Sequence, residues 1–173
     1  MKTILTLLFA FAILTACQNA AEKETESIIN IEDQNLTDSD LNLSAEAQKG
    51  KAIFAICLVC HDTELDSTLA PPMRNIQKRY KFSYPKKEVF IEKIAEHTKA
   101  PTKENSIMMM AVKTFGVMPA LPLSDEYLHN IGSYIYEGEF PFPCKHMKAE
   151  IAKDPDSKHA KMMQKMLDEN CED

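Results

Sequence analysis

Cys57, Leu58, Val59, Cys60 and His61 form a C-x-x-C-H run, and no other stretch of the chain restricts its folding as tightly. Side chains three positions apart on a helix share a face, so both thiols point to the same side, with an imidazole directly after them. Whatever packs against this turn must be reached by all three at once. A redox dithiol, half of a zinc site and a covalent cofactor attachment all use such closely spaced pairs. Zinc would want a second Cys or His pair at matching spacing. The other three cysteines, Cys17, Cys144 and Cys171, stand far apart. A thioredoxin-like dithiol belongs in a βαβ context, and the chain shows no convincing strand pattern.

Covalent attachment of a c-type haem remains, and C-x-x-C-H is its signature. Each sulfur can reach one vinyl group of the same porphyrin, and His61 then falls under the iron as proximal ligand. A second axial ligand must come from elsewhere in the chain. Gly116-Val117-Met118-Pro119 offers one on a loop, between a permissive residue and a rigid one. Thioether sulfur is a soft donor that favours the ferrous state and raises the reduction potential relative to two imidazoles. Met108, Met109 and Met110 compete on paper, but they fall inside a helix expected over 104–114, where packing is their expected role. His97, His129, His146 and His159 have polar neighbours and are expected to face solvent.

The first sixteen residues read as an export signal. Lys2 supplies the positive start, and Ile4 to Leu14 is apolar apart from Thr6. That is about half the ~20 residues a membrane-spanning helix needs. Leu14-Thr15-Ala16-Cys17 resembles the lipobox of bacterial lipoproteins, which implies cleavage before Cys17, acylation of its sulfur and attachment to a membrane of the cell envelope. Residues 18 to 43 carry seven acidic side chains against one Lys, so 17–43 is expected to be a lipid anchor followed by a solvated linker. The net charge of −6 and the lack of a basic cluster argue against nucleic acid as a partner. In an oxidising compartment the leftover pair, Cys144 and Cys171, is expected to form a disulfide. It would staple a charged 144–173 extension too small to hold a core of its own.

The remaining pattern is all-α. Ser44 is placed to cap a helix that runs through Gly50 and Phe54 toward Cys57. A second helix is expected to start at Ser83-Tyr84-Pro85 and carry Val89, Phe90 and Ile94. A third covers 104–114 and stops at Gly116. A fourth is capped by Ser124, with Leu128, Ile131 and Ile135 along one face. Pro-containing loops are expected at Ala70 to Met73 and Met118 to Pro122. In the extension, His159, Met162, Met163 and Met166 share one helical face. Soft ligands of this kind suit Cu(I), but the favoured expectation is that the stripe packs the extension onto the rest of the fold.

Gly50-Lys51-x-x-Phe54 before the Cys pair, Ala70-Pro71-Pro72-Met73 after it, Gly-x-Met-Pro at 116–119 and the Leu128/Ile131/Tyr134/Ile135 helix together resemble class I cytochromes c. The resemblance spans about residues 44 to 138, within a domain drawn at 44–143. It implies a small helical fold wrapped around one haem c, with Cys57 and Cys60 as thioether attachments. It also implies His61 as proximal ligand and Met118 as distal ligand. Pro71 would offer its carbonyl to the other ring nitrogen of His61, and Met73 would pack against that ring. Gly50 and Phe54 would lie where the first and last helices cross, opposite Tyr134. Arg79 matches the Arg that helps hold a haem propionate in some members. The chain departs from the pattern at Ala70, where many members have Gly, and in its Phe54-to-Cys57 spacing.

A haem with both axial positions filled by protein leaves no room for a substrate. The expected function is therefore extracytoplasmic electron transfer between redox protein partners, without enzymatic turnover. The rivals are a haem sensor or enzyme with a labile distal ligand, and a haem subunit serving one oxidoreductase through the 144–173 extension.

Overall fold

The computed structural model describes residues 42–64 and 69–171. The expected signal, the Cys17 lipidation site and the acidic linker lie outside the described residues. Among those described, every regular element is helical: α1 (Ala45–Ile53), α2 (Ala55–His61), α3 (Met73–Ser83), α4 (Lys87–Lys99), α5 (Met109–Phe115), α6 (Asp125–Glu137), α7 (Cys144–Lys153) and α8 (Lys158–Asn170). None of them is long and apolar enough to cross a membrane.

The core is built where α1 and α4 pack on α6. Ser44 caps α1 by accepting from Ala47 N–H, and Ser124 caps α6 by accepting from Tyr127 N–H, which satisfies otherwise orphaned donors. Gly50 is required at the α1–α6 crossing. A Cβ there would fall 1.9 Å from the Asn130 carbonyl oxygen, inside van der Waals contact with the α6 backbone. Beside the crossing, Phe54 meets Tyr134 edge-on at 4.9 Å between ring centroids and Phe140 at 5.5 Å. Such pairs add about 0.5–1.5 kcal/mol each beyond their burial. Phe90 is fully buried and meets Tyr136 at 5.1 Å.

Several elements depart from the sequence expectation. The helix expected from Ser44 to Cys57 is two, because Phe54 N–H bonds Lys51 O and Cys57 N–H bonds Phe54 O, each spanning three residues instead of four. That tightening re-aims the Cys pair relative to α1. The helix α3 was expected only as a loop at its start. Met73, Ile76 and Tyr80 recur at helical spacing and turn one face inward, while Pro72, which needs no donor partner, sits at its N-cap. The helix expected from Ser83 begins at Lys87, since Tyr84 N–H still closes α3 on Tyr80 O. The expected 104–114 helix begins only at Met109. Asn105 Oδ1 accepts from Thr102 N–H at 2.9 Å while Asn105 Nδ2 donates to Ala100 O at 2.8 Å. These side chains offer the backbone a loop in place of a helix. Gly116 ends α5 at φ +84°, a conformation that suits glycine.

Three polar side chains tie the elements together. Gln77 Nε2 donates to the carbonyls of Ile135 (2.8 Å) and Gly138 (2.7 Å), closing the C-terminal end of α6. Glu137 accepts from Ser44 N–H and Oγ at 2.7 Å each and from Lys87 at 2.5 Å. One carboxylate thus joins the start of α1, the start of α4 and the end of α6. Arg74 Nη1 donates to Phe140 O at 2.9 Å, with its guanidinium 5.6 Å from the Phe142 ring centroid.

The extension is a hairpin of α7 and α8. Cys144 and Cys171 are joined in a disulfide with their Cα atoms 5.9 Å apart. Contrary to the expectation that the extension is too small to hold a core, Met147, Met163 and Leu167 form a small one of their own, with Phe142 and Ile151 packed against it. The expected packing of the His159/Met162/Met163/Met166 stripe onto the rest of the fold is corrected here. Only Met163 is buried, and it packs within the hairpin, while Met162 and Met166 are 57% and 41% exposed.

Candidate functional site

A cleft of about 1180 Å³, counting its open mouth, lies among α2, α3, α4, α5 and α6. From α2 it receives Cys57, Cys60 and His61, all half-buried, with both thiols free. The two sulfurs lie one turn apart on one helix face, as their spacing requires. Burial pushes the Cys57 thiol up to about 11, so before any attachment it stays protonated at neutral pH.

His61 is held by its other side. Its Nδ1 lies 2.7 Å from the Pro71 carbonyl oxygen. A carbonyl can only accept, so Nδ1 carries the proton and the ring's free lone pair belongs to Nε2. Burial lowers the imidazole pKa, with the Pro71 bond working the other way, and the ring is kept neutral. A neutral imidazole with one nitrogen committed to a carbonyl is a prepared metal ligand.

Met118 and Gly116 also line the cleft, as do Pro71 and Met73. The loop bearing Met118 is anchored by Leu121 N–H on Thr98 O at 3.1 Å. Ile94, Ile131 and Ile135 supply apolar lining from α4 and α6. Arg79 is exposed and donates from Nε to Ile107 O at 3.3 Å, and it is not among the residues lining the cleft.

Two expectations about neighbouring residues are corrected. His97 does not simply face solvent. It lines the cleft half-buried, with Nδ1 2.9 Å from Asn105 Oδ1. Its sequence neighbours are polar, but it follows the buried Ile94 by three residues and so shares its face. Nor do Met108 to Met110 pack inside a helix. Met108 precedes α5 and lines the cleft, while Met109 and Met110 are 57% and 73% exposed.

Two free thiols on one turn, a neutral imidazole with a committed tautomer and a mostly apolar cleft with a thioether in its lining make a donor set that fits haem attached through both sulfurs. The family model for cytochrome c matches residues 47–138, more than half of the chain. The chain belongs to the cytochrome c family. As a member it carries covalently bound haem c. An uncharacterized protein of Aquifex aeolicus (strain VF5) is 36% identical over 70 residues, a match covering 39% of this chain and 46% of that protein. The chain therefore spans less than half the length of this relative. No solved structure matches.

Proposed function

We propose that this cytochrome is a class I carrier, tethered outside the cytoplasm by acylated Cys17, that uses His61 and Met118 as its axial pair. The observation that carries the reading is the 2.7 Å bond from His61 Nδ1 to the Pro71 carbonyl, in a cleft that Met118 also lines. Bound haem supplies a one-electron couple between Fe(III) and Fe(II). The chain's own residues set the conditions for it. Cys57 and Cys60 fix the group through two bonds, and the Pro71 bond holds the imidazole plane. The Met118 thioether, a neutral soft donor, favours the lower charge state, and the isoleucines from α4 and α6 keep the surroundings apolar. Partners are redox proteins whose basic surfaces match this chain's acidic balance, so docking should weaken as salt is added.

The test is the spectrum of the ferric holoprotein. A weak near-infrared sulfur-to-iron band should be present and should vanish in Met118→Ala while the haem stays covalently attached. A wild-type protein that lacks the band, or that readily binds carbon monoxide when reduced, overturns the reading in favour of a labile distal site.

A second reading, a haem subunit serving one oxidoreductase, draws on the hairpin, whose separate core and disulfide suit a docking element. Deleting 144–173 should then abolish coupling to that enzyme and leave the haem spectrum unchanged.

A further inference from the structure

A second cleft opens between the hairpin and the loop-to-helix junction at α5, and it is lined by Met108, Met110, Met147, Met162, Met163 and Met166. Of the chain's ten methionines, six line this cleft, and of these Met108 lines the haem cleft as well. Burial accounts for two of them, since Met147 and Met163 build the hairpin core with Leu167. It does not account for Met110, Met162 and Met166. Met162, Met166 and Met110 are 57%, 41% and 73% exposed, so they forgo much of the stabilisation that an apolar side chain gains by leaving water. On α8, His159, Met162 and Met166 follow at successive turns of one face, and His159 lines the same cleft.

We propose that this cleft binds one cuprous ion through the thioethers of Met162 and Met166, with His159 and Met110 completing the donor set. Sulfur and imidazole select a soft ion, whereas calcium, magnesium or manganese would want oxygen ligands. Glu150 is the one carboxylate in the lining, against six sulfurs. Arg74 and Lys78 also line the cleft, and their positive charge opposes a divalent cation twice as strongly as a monovalent one. The site is independent of the axial ligation proposed above. Its test uses haem-loaded protein, so that Cys57, Cys60 and His61 are not competing soft donors.

The full, disulfide-intact holoprotein is kept anaerobic with ascorbate and titrated with the cuprous complex of bicinchoninate. One equivalent of Cu(I) should pass to the protein. The double substitution Met162→Leu, Met166→Leu conserves volume and should weaken binding about ten-fold or more, while Met163→Leu leaves it unchanged. Copper that stays on the chelator, or a double variant that binds as tightly as the parent, overturns the proposal. A second measurement on the unaltered chain guards against a misfolded variant. Titration with Ag(I), followed through the methionine methyl resonances, should shift Met162 and Met166, and shifts confined to the other methionines would sink the idea.

Discussion

The histidine-bearing and methionine-bearing segments of the haem cleft are built differently. His61 ends a helix, follows the two cysteines proposed to attach the haem, and has its far nitrogen fixed on Pro71. Met118 sits in a loop between Gly116 and Pro119, both exposed, and that loop is tied back by Leu121 on Thr98. In the proposed ligation one donor is held by a helix, its cofactor-attaching neighbours and a hydrogen bond. The other depends on the path of a short loop. The difference teaches where this cytochrome can yield: displacement of a ligand should begin at Met118.

The strongest way to break the contrast is His61→Ala. Removing the helix-held ligand should eliminate nearly all holoprotein, read as the haem absorbance per mole of purified chain. Met118→His should do less. Haem should remain covalently bound, and the midpoint potential measured by redox titration should fall by on the order of tenths of a volt within the ~0.8 V range that axial ligands span. Gly116→Ala sharpens the comparison on the loop alone. Its φ of +84° should cost a side-chain-bearing residue about 1 kcal/mol, visible as a lower Tm and faster carbon monoxide binding to the reduced protein, with attachment at Cys57 and Cys60 unchanged. The smallest effect should strike both segments alike. At Glu137, burial works to raise the carboxyl, but the Lys87 ammonium and the Ser44 hydrogen bonds outweigh it and hold the pKa below the ordinary value. A lowered folded-state pKa contributes stability above the unfolded carboxylate range, and that stability is lost as pH falls through the folded value. Glu137→Gln should therefore cost about 1 kcal/mol at neutral pH and flatten the acid limb of a Tm-against-pH curve.

Much of the site was legible because its signals are local. The Cys pair, its histidine, the Gly116 stop and the Ser44 and Ser124 caps each need only a few neighbouring residues to be read, and they lie where the sequence reading put them. The Gly50–Phe54–Tyr134 crossing was legible only through family resemblance. What was missed depends on distant partners. Nothing near Gln77 announces that its amide will close a helix ending some sixty positions later, and nothing near Glu137 points to Ser44. His97 was misread because its polar neighbours hid the three-residue step from Ile94. The late start of α5 was missed because Glu104 to Thr114 suits a helix until Thr102 and Asn105 bond each other.

The notch at Gly50 carries a consequence for assembly. The surface it fits belongs to α6, whose Asn130 lies eighty positions further along, and contacts that distant in sequence form late because the intervening loop must first be closed. If the chain is exported as proposed, the α2 turn emerges before α6 is available to dock. Cys57 and Cys60 therefore pass through a period without their final surroundings, which is when an attachment apparatus could reach both sulfurs. A product truncated before residue 125 would remain in that open condition.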